Sequence, residues 1–164
     1  MWETLLAPLV DTQYAAWVRE SWGWPFALTF HAFGTATVVG LFFVICLRLF
    51  GLFRNIPFTS LYRLIPLIWV AVGIQALSGF TLWMSKPARY MNDGLFLWKF
   101  SFVIIGVVLT LYFQGILKRE AAAWEASGKV SWRGTQFVIV TSLAWSAVLI
   151  AGRLTAYLGQ LYHA

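Results

Sequence analysis

Four long stretches of this sequence are almost entirely apolar, and polar or turn-forming residues separate them. The apolar stretches run over residues 24–49, 61–84, 95–117 and 136–158. Each has about the 20 residues that an α-helix needs to cross the hydrocarbon core of a bilayer. The pattern therefore predicts an all-α integral membrane protein, built as a bundle of four membrane-spanning helices.

Residues 1–22 do not continue that pattern, because charged residues and a proline interrupt them. The interrupting residues are Glu3, Pro8, Asp11, Arg19 and Glu20. Tyr14, Trp17 and Trp22 recur at helical spacing after Asp11, whose carboxylate can cap a helix. We expect a short amphipathic helix here, which lies in the membrane interface with its aromatic side chains in the lipid.

Turn-forming residues predict the connections between the spans. Thr59 or Ser60 is expected to cap the second span, and residues 86–94 to form a loop. The third helix is expected to continue beyond the membrane and to end at Gly128. No long linker interrupts the chain, so we expect a single membrane domain over residues 1–164.

Composition and charge agree with this class of protein. Hydrophobic residues make up 60% of the chain and charged residues only 11%, which is unusual for a soluble domain. The net charge of +6 does not indicate a nucleic-acid partner, because the basic residues lie at helix ends. The connections after the first and third spans contain Arg48, Arg54, Arg63, Lys118, Arg119, Lys129 and Arg133, whereas the opposite side contains Arg19, Lys86 and Arg89. The positive-inside rule then predicts that both termini lie outside.

Each span offers at least one strongly polar side chain in the half of the membrane nearest the chain termini. With a rise of about 1.5 Å per residue, His31 lies about 10–13 Å deep and Gln75 about 13 Å deep. By the same count Arg153 lies about 7 Å deep and Lys99 about 6 Å deep. Polar residues within a membrane normally face the bundle interior. We predict that the four form one inward-facing layer, with almost nothing comparable in the other half.

Simpler alternatives exist for three of these residues. Lys99 and Arg153 are shallow enough to extend to the lipid headgroups. Gln75 can hydrogen-bond between helices without any ligand. His31 is deeper and too short to reach the headgroups, so it is the residue that most strongly indicates a function.

Haem b is the first cofactor that this layer suggests. Histidine is a common axial ligand, and helix bundles hold cofactors between facing helices. His31 would bind the iron, Gly34 would leave room for the macrocycle, and Lys99 and Arg153 would pair with the propionates. The second ligand is missing, because the only other histidine, His163, lies about 15 Å above Arg153 on a straight helix.

A quinone is the alternative ligand. Its carbonyl groups could accept hydrogen bonds from a histidine and a cation, while Trp98 and Trp145 could line the ring site. Copper bound by Met84, Met91 and His163 is a third possibility, but their spacing matches no established motif. The spans contain no acidic residue, which argues against a carboxylate proton relay or a carboxylate-lined cation channel.

Five segments together resemble a family of small bacterial four-helix membrane proteins that is itself uncharacterised. The segments are His31-Ala32-Phe33-Gly34, Leu47-Arg48-Leu49-Phe50-Gly51-Leu52, Ala76-Leu77-Ser78-Gly79-Phe80 with Lys86-Pro87-Ala88-Arg89-Tyr90, Leu95-Phe96-Leu97-Trp98-Lys99, and Ala151-Gly152-Arg153-Leu154. More distantly, the chain is similar to four-helix b-type cytochromes and to the membrane domain of copper-resistance proteins.

This resemblance implies a bacterial inner-membrane protein in which His31, Lys99 and Arg153 occupy motif positions. The chain differs from the family pattern at Cys46, where the family often has an acidic residue. It differs again at Gln114, where a histidine often follows phenylalanine. The second difference removes a possible ligand and argues against a pair of haems across the membrane.

From these observations we expect an electron-transfer or anchor subunit in the lipid bilayer rather than a stand-alone enzyme. It would bind haem b or a quinone in the outer half of the bundle and work with a periplasmic redox partner. The alternative is a non-catalytic structural or assembly subunit that packs against other membrane proteins, in which the polar layer is purely structural.

Overall fold

A computed structural model describes the backbone of residues 2–161 and the side chains of residues 2–155. Regular structure in this part of the chain is entirely helical. The α-helices are α1 (Trp2–Val10), α2 (Gln13–Glu20), α3 (Gly23–Leu49), α4 (Ile65–Ser85), α5 (Pro87–Asn92), α6 (Gly94–Ser127) and α7 (Trp132–Leu161), with a 3₁₀ helix at Phe58–Leu64. The helices α3, α4 with its preceding 3₁₀ turn, α6 and α7 are long and apolar enough to cross a membrane. This confirms the predicted all-α, four-helix membrane bundle.

The four long helices alternate in direction. Helix α3 packs along α4 and α7, and α6 packs along α7, whereas α4 and α6 do not pack along each other. The short helices α1, α2 and α5 contact one another or the nearby ends of α3, α4 and α6. We call their end of the bundle the terminal side, and the end with the connections at residues 50–57 and 128–131 the loop side.

Trp145 is the central side chain between α6 and α7. Trp145 is fully buried, and its indole Nε1 donates a hydrogen bond to the Thr110 hydroxyl at 3.1 Å. The indole lies against Gly106, where an added Cβ would come within 2.9 Å of the ring. Glycine at this position is therefore what allows the large indole to lie between the two helices.

The N-terminal segment forms two helices rather than the single one expected. Thr12 caps α2, and its hydroxyl accepts a hydrogen bond from the amide of Ala15 at 3.2 Å, so the cap predicted at Asp11 was wrong by one residue. Trp17 is 47% exposed, as expected for an aromatic side chain facing lipid. The Tyr14 hydroxyl bonds to that of Thr81 at 2.7 Å and so connects α2 to α4.

The second span begins differently from the prediction. Residues Phe58–Leu64 form the 3₁₀ helix and α4 starts at Ile65, with no side-chain cap from Thr59 or Ser60. Pro66 explains the boundary, because it has no amide hydrogen for a bond to a preceding turn but fits the first turn of a helix. The expected loop at residues 86–94 also contains a helical turn, α5, which begins at Pro87.

The third span agrees with the prediction. Asp93 caps α6, since its carboxylate accepts a hydrogen bond from the amide of Leu95 at 2.9 Å. The helix ends at Gly128, whose φ of +65° is a left-handed conformation that glycine adopts without strain.

Polar pairs also occur away from the terminal side, which the sequence did not predict. The Trp69 indole donates a hydrogen bond to the Gln114 side-chain oxygen at 2.8 Å and thereby bridges α4 and α6. Gln114, where the resembled family often has a histidine, thus has a structural partner.

Candidate functional site

His31 lies about two turns into α3 and makes its first contacts with α4. Its Nδ1 is 3.2 Å from the backbone oxygen of Gln75 and 3.1 Å from the Ser78 hydroxyl. A carbonyl oxygen can only accept, so Nδ1 holds the hydrogen. The Ser78 hydroxyl donates its own hydrogen to the Ile74 carbonyl at 2.6 Å and can therefore accept from Nδ1 as well.

Lys99, which lies on α6, forms the remaining hydrogen bond of the imidazole. Its Nζ lies 3.1 Å from His31 Nε2. Because Nδ1 holds the ring hydrogen, Nε2 has a free lone pair and accepts this bond from the lysine. Lys99 is half-buried and points to the bundle interior, not to the headgroups.

Two glycines make room for this pair. A Cβ on Gly79 of α4 would lie 3.2 Å from His31 Cε1, and one on Gly152 of α7 would lie 3.3 Å from Lys99 Nζ. Each of the four long helices therefore contributes one residue to this level of the bundle, namely His31, Ser78, Lys99 and Gly152. We call these four residues the polar layer.

Gln75 contributes to the polar layer through its backbone. Its side chain is only 5% exposed. Neither the side-chain nitrogen nor the side-chain oxygen has a hydrogen-bond partner among the described residues. Gly34 packs against it, because a Cβ there would lie 3.0 Å from the Ala71 oxygen and 3.1 Å from the Gln75 amide nitrogen. Gly34 thus allows close contact of α3 and α4, and the backbone of α4 occupies the space beside it.

Arg153 is not part of the polar layer. Its side chain is exposed, and the residue that contacts Lys99 is its neighbour Gly152. Successive residues on a helix differ by about 100°, so the two point in different directions. His163, the expected second haem ligand, lies outside the described residues.

The two tryptophans assigned to a quinone site lie apart from each other. Trp98 is 66% exposed and lines a lipid-facing groove of about 500 Å³ on α6 with residues such as Leu97 and Ser101. Trp145 is buried and bonded to Thr110. It is seven residues from Gly152 on α7, which is about 10 Å along the helix axis. Among the described residues, no hydrogen bond joins either indole to the His31–Lys99 pair.

The charge on Lys99 has no counter-ion within the membrane. The apolar parts of the spans, residues 23–49, 65–85, 94–117 and 132–155, contain no Asp or Glu. Burying an ammonium group without an opposite charge is costly, although hydrogen bonds to neutral groups reduce the cost. This is the strongest electrostatic anomaly of the polar layer.

Haem b does not fit this arrangement of side chains. His31 Nδ1 and Nε2 are both engaged, so no ring nitrogen is free to bind iron. A quinone carbonyl does not need the Nε2 lone pair, because the Lys99 ammonium group has further hydrogens to donate.

Sequence reasoning identified His31, Gln75 and Lys99 but missed Ser78, Gly79 and Gly152 as their contacts. Helical spacing contained part of this information, since Ser78 and Gly79 follow Gln75 by three and four residues and share its face. Gly152 had no such signal, because its role depends on how α7 packs against α6.

The fold and the polar layer define a multi-pass helical membrane protein with a half-buried lysine–histidine pair inside the bundle. Comparisons with protein-family models, curated proteins and solved structures find no match to this chain. The resemblance described above is therefore not confirmed, and the function has to be inferred from the geometry of the layer.

Proposed function

We propose that this protein is an integral membrane electron-transfer or anchor subunit that binds a quinone at Lys99 and His31, in the half of the bundle near the terminal side. Electrons would be exchanged with a separate periplasmic redox subunit. In this proposal the chain itself contributes binding and hydrogen bonding rather than an internal redox centre.

The observation that supports this proposal is the Lys99 ammonium group, which points inward and has no acidic partner within the spans. A neutral side chain would suffice to hold α6 against α3, and it would avoid the cost of a buried charge. A cation is useful where a ligand brings partial or full negative charge, as a quinone carbonyl does on reduction. His31 fixes the position of the ammonium group by accepting one of its hydrogen bonds.

Access from the lipid is consistent with this ligand. Helices α4 and α6 do not pack along each other, and the hydrogen bond that bridges them, Trp69 to Gln114, lies nearer the loop side. In this proposal a lipid-soluble molecule would approach the Lys99–His31 pair laterally between α4 and α6, close to the terminal side.

The test is quinone binding by the purified full chain in detergent, titrated with a short-tailed benzoquinone and followed by tryptophan fluorescence. Lys99→Met keeps the length of the side chain but removes its charge and hydrogens, and we expect a roughly tenfold weaker Kd, as for the loss of one charge-assisted hydrogen bond. The matched control is Lys118→Met, an exposed lysine on the same helix. Equal binding by the wild type and Lys99→Met would refute the proposal.

The visible spectrum of the same preparation distinguishes quinone from haem. A quinone site requires no Soret band. A Soret band that disappears in His31→Ala would show instead that His31 binds haem, with the bond from Lys99 broken.

A structural or assembly subunit is the second candidate, and the close packing of the polar layer favours it. Gly79 and Gly152 leave little free space around His31 and Lys99. In that case His31→Ala lowers the thermal stability of the purified protein, while quinone binding is absent from wild type and variant alike.

A further inference from the structure

A second groove lies on α6, nearer the loop side, whereas the groove beside Trp98 lies nearer the terminal side. It measures about 340 Å³, and its lining consists of Val108, Leu111, Tyr112, Gly115 and Arg119. Leu111 and Tyr112 are 55% and 62% exposed, so the groove opens to the lipid along its length. Its lining is apolar except for the Tyr112 hydroxyl and the last residue, Arg119, which is a cation.

Arg119 folds back over this groove. Its Nε donates a hydrogen bond to the Gly115 carbonyl at 3.1 Å, and its Nη2 lies 3.5 Å from where a Cβ on Gly115 would be. Gly115 therefore lets the guanidinium lie against the helix at the end of the groove. The remaining guanidinium hydrogens are available to a ligand in a fork that suits phosphate oxygens.

The groove extends along α6 over about half the thickness of the hydrocarbon core. From Gly94 to Gly115, α6 rises about 30 Å, the thickness of a hydrocarbon core. Arg119 thus lies at the level of the headgroups on the loop side, and Val108 lies about 16 Å further into the membrane.

The surrounding charge is strongly positive. Lys99 with Gly152 and Gly106 with Trp145 define the register of α6 against α7, and the same register brings Arg133 of α7 level with Lys118 of α6. Both of these cations are exposed, like Arg119.

The acidic residues nearby have partners of their own. Glu120 accepts a hydrogen bond from the Ser131 hydroxyl at 2.5 Å, and Glu125 accepts one from the Phe58 amide. Neither carboxylate forms an ion pair with Arg119 in the part of the chain that the structure describes. The guanidinium is left to an external anion.

We propose that this groove binds one anionic glycerophospholipid, whose phosphate contacts Arg119 and one of whose acyl chains lies along Gly115, Leu111 and Val108. The charge at one end and the apolar lining over the rest match the two parts of such a molecule. A basic pocket of this kind on a helix flank is suited to anionic headgroups.

The experiment compares the affinity of the purified full chain for phosphatidylglycerol and for phosphatidylcholine with the same acyl chains, measured by native mass spectrometry from detergent. We expect wild type to bind phosphatidylglycerol about fivefold more tightly, and Arg119→Gln to remove this preference. Gly115→Leu fills the groove without changing charge, and only the flexible end of Arg119 opposes it. It should weaken binding of both lipids.

Arg54→Gln is the matched control. Arg54 also lies on the loop side and also folds back onto a glycine carbonyl, that of Gly51 at 3.2 Å, but it does not line the groove. The preference for phosphatidylglycerol should persist in this variant. The proposal is overturned if wild type shows no preference, if Arg54→Gln loses it as fully as Arg119→Gln, or if Gly115→Leu binds both lipids like wild type.

Discussion

For His31 and Lys99, the depth in the membrane can be predicted from the sequence, but the direction in which each side chain points cannot. Counting residues placed both in the same half of the membrane, and the structure joins them at 3.1 Å. The same count left open whether Lys99 extended to the headgroups. Its direction depends on the rotation of α6 and on the space above Gly152, which no local pattern encodes.

Substitution of single glycines, Gly106 and Gly73, tests the helix packing through its effect on stability. Gly106→Ala would bring a methyl group within 2.9 Å of the fully buried Trp145 indole, and we expect a loss of about 1–3 kcal/mol in the free energy of unfolding. Gly73 is exposed and has nothing within 4 Å of the added Cβ. Gly73→Ala should be neutral or stabilising by about 0.5–1 kcal/mol. Unfolding in mixed detergent measures both, and equal effects would contradict the packing described for Trp145.

The 3₁₀ helix is the element that the sequence described least well, and its contacts explain its position. Phe58 stacks under the Arg48 guanidinium, 3.8 Å from ring centroid to Cζ, and meets the edge of Trp124 at 6.1 Å between centroids. Arg48 is buried, and its Nε donates to the Ile56 carbonyl at 2.5 Å. Through these contacts the connection between α3 and α4 packs against the part of α6 that continues beyond the membrane.

Glu125 tests that attachment. Its carboxylate accepts the hydrogen bond from the Phe58 amide, so Glu125→Ala should destabilise the docked 3₁₀ helix locally by about 1 kcal/mol. Amide hydrogen exchange in Phe58–Leu64 should then accelerate about fivefold, while exchange in α3 stays unchanged. Glu20→Ala, an exposed carboxylate at the end of α2, is the control. Unchanged exchange in Glu125→Ala would mean that the aromatic contacts alone hold the segment.

At the scale of the whole molecule, the alternating helices bring most of the basic residues together on the loop side. The positive-inside rule predicts that this side faces the cytoplasm and that the terminal side faces away from it. The two interhelical connections with the most lysine and arginine are those at residues 50–57 and 128–131 with their flanks.

Reporter fusions test this orientation. Alkaline phosphatase fused after Ala164 should be active, because it folds in the periplasm, whereas a fusion after Phe53 in the first connection should be inactive. Green fluorescent protein at the same two positions should give the opposite result. The reverse pattern of reporter activities would show that the protein has the opposite orientation. The geometry of the polar layer would be the same in either orientation.

The sequence by itself determined the number of spans, most of their ends and the positions of His31, Gln75 and Lys99 along their helices. These follow from local properties, namely the length of apolar stretches, the residues that cap or stop a helix, and a fixed rise per residue. Arg153 had the right depth too, yet it lies outside the layer. Depth alone therefore does not identify a partner.

Only the tertiary structure decided which groups meet. The contact of Lys99 with Gly152 rather than Arg153, the hydrogen bonds from His31 to Ser78 and Gln75, and the 3₁₀ start of the second span all depend on the rotation and register of neighbouring helices. Rotation and register result from the packing of many side chains at once, such as Trp145 against Gly106 and α4 against Gly34. Packing of that kind is a property of the assembled bundle, so no single segment of the sequence specifies it.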